Sequence, residues 1–385
     1  MAQTAKRILV TGGAGFIGSH LVDALVARGH QVRILDRLEE QVHGPDSQKP
    51  GFRPDYLNPD VELIAGDVAD RALLEKALDG VQVVYHQAAA VGVGQSQYEI
   101  EKYVARNTGA TAVLLDVLAN NRDKYPLERF VVASSMSIYG EGRYRAKSGE
   151  LFAPRLRPDA QLEAHEWEMR GPDGEVAEPA PTDEEKPLYC TSVYALSKKD
   201  QEEYCLVVGN SYGIPTVALR YFNVYGPRQA LSNPYTGVAA IFGSRLLNDK
   251  APIIFEDGRQ TRDFVHVSDI VQGNLLAMEA PAGDVAGQVF NIGTGRPLNL
   301  LEVFGILADG LGKGHITPQI AGKYRSGDIR HCVADISKAK RVLGYEPKTR
   351  FEDGMKELSA WMSTQTAEDR VEQAAAELAK KGLAR

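Results

Sequence analysis

The chain has 385 residues, 43% of them hydrophobic and 25% charged, with a formal net charge of −7. That length supplies core for one large or two closely joined domains. The acidic balance excludes nucleic acid as an expected partner and leaves any anionic substrate to local arginines. No run reaches the ~20 apolar residues that span a bilayer, so no membrane partner is expected. With no charged-then-apolar leader at the start, the expected location is cytoplasmic. Cys190, Cys205 and Cys332 are too few and too scattered for a disulfide framework or a zinc site, and no metal is expected.

Residues 7–10, RILV, read as a buried parallel strand running into the glycines of TGGAGFIG. Gly12, Gly15 and Gly18 follow G-x-x-G-x-x-G. That spacing tightens the turn, lets a pyrophosphate approach the backbone and lets the next helix pack on the sheet. Residues 16–28 form that helix, Gly29 ends it, and its N-terminal N–H groups meet the phosphate charge. A second strand over 31–35 ends at Asp36, whose carboxylate accepts from a ribose 2′-hydroxyl and repels a 2′-phosphate. NAD is therefore expected over NADP, although neighbouring Arg37 works against that preference.

Strand 61–64 ends in Gly66-Asp67 and precedes helix 71–78. Strand 81–85 leads into His86-Gln87-Ala88-Ala89-Ala90 and precedes helix 108–120, and strand 130–133 ends in Ser134-Ser135. This rhythm predicts an α/β fold: a Rossmann-like doubly wound parallel sheet with ligands at the carboxyl ends of its strands. Asp67, Ala88 and Ala89 stand at such ends, where adenine and the nicotinamide ribose would lie. Asp67 serves equally well as a cap for the next helix.

Tyr194 and Lys198, in YALSK, lie one helical turn apart, which puts a cation over a phenol. A phenol of pKa about 10 is too weak a base at neutral pH, and the ammonium together with a positive nicotinamide ring favours the phenolate. Ser135 shares and orients the substrate hydroxyl. Asn107, at an expected helix start, supports the site.

The chain resembles the extended short-chain dehydrogenase/reductases, and among them the NAD-dependent nucleotide-sugar epimerases and dehydratases. The resemblance spans residues 7–361 and rests on TGGAGFIGSH, SSMSIYG, YALSK, LRYFNVYGPRQ, RDFVHVSD and NIGTG. It implies NAD as cofactor, a nucleotide-sugar as substrate and a homodimer as the assembly. It implies Ser135, Tyr194, Lys198 and Asn107 as the catalytic set. The cofactor contacts it implies are Gly12, Gly15, Phe16, Ile17, Gly18 and Asp36, then Asp67, Val68, Ala88 and Ala89, and finally Asn107, Tyr194, Lys198 and Tyr221. On the substrate side it implies Ser135, Phe222, Val238 and Phe255, with Asn223 on the sugar diphosphate and Arg262 on phosphate. Arg325 and Asp328 of RSGDIR would form a second phosphate and ribose clamp, and Cys332 would either line the sugar end and leave it roomy or simply fill core space.

Dehydratases that the chain resembles carry an Asp-Glu pair after the catalytic serine or threonine, and decarboxylases place a glutamate nearby. Met136 and Ser137 stand there instead, and neither is a general acid at neutral pH. A 4-epimerase working through a 4-keto sugar is therefore expected, an isomerase. The alternatives are a UDP-glucose/UDP-galactose-type 4-epimerase, a 4-keto-sugar reductase and a non-catalytic dinucleotide sensor. The SSMSIYGEG run, the long segment 141–190 and QALSNPYTGVAAIF resemble a bacterial branch that includes dTDP-L-rhamnose 4-epimerases, pointing to a dTDP-6-deoxyhexose.

The expected organisation is an NAD-binding domain over 1–220, including the insertion 141–190, with 262–280 returning to it. A smaller mixed α/β nucleotide-sugar-binding domain takes 221–261 and 283–362. The insertion offers one short helix, 160–168. The tail 363–385 reads as a charged, Ala-rich helix, solvated or packed on a second subunit, with no chemistry of its own.

Overall fold

Along each central strand, alternate residues enter opposite cores. Ile8 and Val10 join one cluster with Tyr85, Val131 and Leu219, while Leu9 joins the other with Val84, Val132 and Ala218. A strand that is apolar on both faces has to be covered on both, and that makes a parallel sheet between two helical layers. In the computed structural model, which describes residues 4–325 and 327–383, this sheet has seven strands. They are β1 (Arg7–Thr11), β2 (Gln31–Asp36), β3 (Glu62–Ala65), β4 (Val83–His86), β5 (Arg129–Ser135), β6 (Thr216–Tyr221) and β7 (Gln288–Ile292). The outermost residues of the expected first domain and tail, and Ser326 of the RSGDIR segment, lie outside the described residues.

All pairings are parallel, in the order β3-β2-β1-β4-β5-β6-β7. The order reverses between β1 and β4, and the crevice there opens at the carboxyl ends of the strands. The expected strands and helices of the first half are all present.

Two expectations about the second half need correction. Residues 288–292, expected in the smaller domain, form β7, because Phe290 and Ile292 extend the core that Val217 and Leu219 begin. Of the segment 262–280 expected to return to the first domain, only helix Val267–Glu279 does so, packing on helix Phe16–Ala27 and on β5. Its preceding strand, Thr261–His266, is the centre of the smaller sheet, pairing with Asn223–Tyr225, Pro297–Asn299 and His331–Cys332. Helices Val238–Leu247, Leu300–Gly310 and Phe351–Met362 cover that sheet around Phe242, Phe264, Leu307 and Leu358.

The insertion is more ordered than its composition suggests. Arg143–Arg145 pairs antiparallel with Leu151–Phe152 and Glu178–Ala180, and the expected helix is shortened to Asp159–Glu163. Its small core of Tyr144, Met169 and Ala177 is too little to hold it alone. A charged cluster ties it down. Arg157 grips Glu256 with both amino groups, at 3.0 and 2.7 Å, and both side chains are buried. Fully buried Arg330 pairs with Glu256, Asp257 and Glu168, and Glu141 accepts from the Arg330 and His331 backbones.

Arg330→Met removes a buried cation that neutralises several carboxylates, so it should lower stability by about 3–5 kcal/mol, read by urea unfolding. The cluster also has an acid limit. His331 and Arg330 hold Glu168 down to about 2 from its usual 4.5. Its contribution is thus full above about 4.5 and lost as pH falls toward 2, which an acid titration of the melting temperature should show flattened in the Arg330 variant.

Candidate active site

β1 delivers the glycine turn to the crevice. Gly12 has φ +69°, and a Cβ there would stand 2.7 Å from the Ala88 nitrogen; one on Gly18 would stand 2.2 Å from the Gly12 carbonyl oxygen. Only hydrogen fits at either place. The first lets the turn cross β4, and the second lets helix Phe16–Ala27 start directly on the turn. Gly15 caps that helix with no side-chain acceptor, and no acidic residue occupies the first turn. Its N-terminal N–H groups therefore face an open crevice, where an anion suits them.

At the end of β2, Asp36 accepts from the Ala14 nitrogen at 3.0 Å and from the Leu38 nitrogen at 2.9 Å. This fixes the carboxylate toward the turn and leaves it lining the crevice. Arg37 also lines the crevice, its charge paired with Glu39 and Asp67 at 3.0 Å each. The cap of helix Arg71–Leu78 is Asp70, not Asp67.

The second cluster forms where β5 ends. Ser135 is followed by a tight turn, so Ser137 doubles back and donates to the Ser135 hydroxyl oxygen twice, from Oγ at 2.9 Å and from the backbone nitrogen at 3.2 Å. Both lone pairs are thereby taken, and Ser135 presents its own hydrogen. Helix Val193–Tyr212 begins with Ser192 as its cap, and Ser96 accepts from the Tyr194 nitrogen at 3.0 Å. That start sets Tyr194 in the same crevice as Ser135; burial raises the phenol above its usual 10, and the Ser135 hydroxyl opposes the rise.

Lys198 departs from expectation. Instead of lying over the phenol, its ammonium donates to the Ala133 carbonyl at 2.6 Å and to Gln201 Oε1 at 2.7 Å. A buried ammonium needs acceptors, and the end of β5 supplies one that an aromatic face does not match. Burial lowers its pKa to about 8. Beneath it, Gln201 bonds Thr111 and His86, and His86, pushed down to about 3, stays neutral between Thr11 and Thr111.

A cavity of about 700 Å³ joins these two clusters, within the range of sites for cofactor-sized ligands. Of the residues expected to touch cofactor or substrate, all line it except Asn107 and Cys332. Asn107 lies in a π-helical turn, Val104–Gly109, inside a helical run and not at a helix start. Its amide accepts from the Ala90 nitrogen at 2.7 Å and donates to the Ala90 carbonyl at 3.1 Å and to Ser197 at 2.9 Å. It clips the end of β4 to the Tyr194 helix, a positioning role.

Cys332 pairs in register with Arg262 but sits in the main core, its thiol 3.9 Å from the Thr182 hydroxyl, so it fills core space and does not line the cavity. Arg262 reaches the cavity with both amino groups already donating to the carbonyls of Thr261, Arg330 and Ile329. Arg325 pairs with Asp328 at 2.8 Å and lies over the Phe255 ring. Asn223 brings a buried amide oxygen with no partner.

Residues 8–158 and 168–293 match the family described as NAD dependent epimerase/dehydratase. The chain belongs to this family. A dTDP-L-rhamnose 4-epimerase of Burkholderia thailandensis is 35% identical over 363 residues, 93% of this chain and 95% of that one. The solved UDP-glucose 4-epimerase of Thermotoga maritima with UDP-glucose is 31% identical at TM-score 0.73, covering 93% and 98% of the two chains. The UDP-glucuronic acid 4-epimerase of Bacillus cereus with UDP-glucuronic acid and NAD is 29% identical at TM-score 0.73, covering 93% and 99%.

The family's cofactor fits the crevice: the bare glycines, the uncapped helix start and the aimed Asp36 are what a dinucleotide needs. The residues that sequence reasoning missed were Ser137, Ser96 and Gln201. Ser137 had a readable signal, since a serine two residues beyond another at a strand end commonly closes a local turn. One further feature bears on the reaction. The carboxylates lining the cavity among the described residues are Asp36, Glu39, Asp67, Glu256 and Asp328. Each already faces a donor: backbone N–H for Asp36, and Arg37, Arg106, Arg157, Arg330 or Arg325 for the rest.

Asp36→Ala should lower the preference for NAD over NADP by at least ~10-fold, as expected for removing a charge that repels a 2′-phosphate. Fluorescence titration with each dinucleotide measures it, and an unchanged ratio would remove Asp36 from that role.

Proposed function

We propose that this protein is an NAD-dependent nucleotide-sugar 4-epimerase whose substrate is a dTDP-6-deoxyhexose such as dTDP-L-rhamnose. The observation that carries the reading is that Ser135 and Tyr194 line one cavity with the glycine cradle, with every lining carboxylate among the described residues already engaged. The first half of that observation supplies a proton acceptor beside a dinucleotide. The second supplies no spare acid to expel a hydroxyl, which disfavours dehydration.

In this reading Ser135 donates to the sugar O4, its own oxygen being filled by Ser137. Tyr194 takes the O4 proton and later returns it. Bound NAD, held by the glycine turn, the helix start at Phe16 and Asp36, would supply the hydride acceptor and donor for C4 and a positive charge that offsets the raised pKa of the phenol. Lys198, held at the end of β5, keeps positive potential behind the site. The diphosphate anchors the sugar while it turns, with Asn223 and the Arg262 and Arg325 region as its contacts.

The dTDP-6-deoxyhexose choice is supported by the SSMSIYGEG run, segment 141–190 and QALSNPYTGVAAIF, and by the similarity to the Burkholderia thailandensis enzyme, while Met136 disfavours dehydration. A homodimer fits the exposed apolar side chains Leu196, Tyr204 and Val207 on the Tyr194 helix.

Tyr194→Phe should lower kcat at least ~100-fold while NAD binding persists, as loss of a general base requires. Near-normal turnover would overturn the assignment. With the unaltered protein, dTDP-L-rhamnose and its C4 epimer should interconvert without net NADH, and dTDP-glucose should give no 4-keto-6-deoxy product. Mass spectrometry in D₂O should find no deuterium at C4. Stoichiometric cofactor consumption would mark a reductase, and turnover of UDP-glucose alone would keep the mechanism and discard the 6-deoxy sugar.

A further inference from the structure

The C-terminal helix Val371–Lys380, expected to be solvated or to pack a second subunit, lies instead along the ligand cavity. Val371, Ala374, Ala375 and Leu378 line it. Their spacing is that of one helix face, and Ala374 and Leu378 are buried. Leu378 rests on Gly94, where an added Cβ would stand 3.6 Å from its methyl groups.

The segment is fastened at both ends, to different halves of the molecule. Ahead of the helix, Asp369 pairs with Arg245 at 3.1 Å and Lys250 at 3.0 Å. The Ala367 carbonyl accepts from Asn248 at 2.8 Å, and the Glu368 nitrogen donates to Ser232 at 3.0 Å. These partners belong to the helix Val238–Leu247 region of the smaller half. At the far end Lys381 lies 5.0 Å over the Tyr98 ring, and Tyr98 and Gly94 belong to the loop that follows β4. That loop in turn meets the segment beyond Asp36, where Gln41 bonds both Gln95 and Asn233. The helix therefore bridges the two halves on the side of the cavity where the cofactor's ribose is expected.

We propose that this helix is part of the dinucleotide-binding site: an apolar wall, formed by Ala374, Ala375 and Leu378, that retains bound NAD between turnovers. The proposal rests on reading the cavity as the site of a 4-epimerase. In such a reaction the cofactor is restored at the end of each cycle, so slow exchange costs no turnover, whereas a reductase must release it every time. Asp369 anchors the start of the helix to Arg245 and Lys250, and Leu378 completes the wall against Gly94.

The test compares the full-length protein with Asp369→Asn, Leu378→Asp and a chain ending at Ser363. Bound NAD is chased with excess ADP-ribose, and its release is followed by fluorescence. All three variants should release NAD at least ~10-fold faster. Trypsin cleavage after Arg370 and Lys380 in the full-length protein should slow when NAD is added. Unchanged release in the point variants overturns the proposal, whether or not the shortened chain folds. If the full-length protein binds no NAD, the epimerase reading falls and the proposal with it. Tight binding with unchanged release overturns the wall alone.

Discussion

A backbone-to-backbone approach governs where everything in this site can stand. The turn after β1 passes so near Ala88 at the end of β4 that even a methyl group on Gly12 would collide with it. Because the two strands separate at this point, the approach converts a gap in the sheet into a floor with a wall on each side. The helix beginning at Phe16 then points its N-terminus across the floor, and β5 delivers Ser135 on the far side. A bulkier turn would lift the helix start and misalign both clusters together.

The floor needs support from below, and a chain of neutral polar groups provides it. Thr11 on β1, His86 on β4, and Thr111 and Gln201 on two helices bond one another in full burial and end at Lys198. The buried ammonium is held by two neutral acceptors, the Ala133 carbonyl and Gln201 Oε1, with no direct bond to a carboxylate. A carboxylate there would cancel the positive potential that favours a Tyr194 phenolate in the proposed reaction. Keeping His86 uncharged serves the same end, since a second cation would drive Lys198 to give up its proton.

The first half of the chain was legible because its signals are local: an apolar run, a glycine spacing, a helix stripe. Asp36, Ser135 and Tyr194 inherit their places from strand and helix ends, which such signals locate well. What escaped depends on partners distant in sequence. QVFNI alternates like any strand, yet nothing within it says that its neighbour is β6 and not the smaller sheet. The spacing of Cys332 after Asp328 was readable, but whether the thiol lined a pocket or filled core was decided by segment 141–190, which packs on that strand through Gly142 and Thr182. Lys198 and Tyr194 share a helix face, yet the Ala133 carbonyl, on a strand far away in sequence, decided where the ammonium went. In the tail, the charged, Ala-rich composition was readable, but that Val371, Ala374 and Leu378 would face the cavity depends on the loop after β4, distant in sequence.

The placement of β7 has a consequence for how the protein is made. β6 is buried along its whole length, and the strand that covers its outer edge begins 67 residues after β6 ends, at Gln288. Until that stretch has left the ribosome, the nascent sheet carries the apolar strand TVALRY as an open edge with unpaired backbone groups. Such an edge is a template for another copy of the same strand. Chains interrupted between residues 221 and 288 are therefore the aggregation-prone products of this gene, and slow synthesis through that stretch is the condition under which a chaperone matters most.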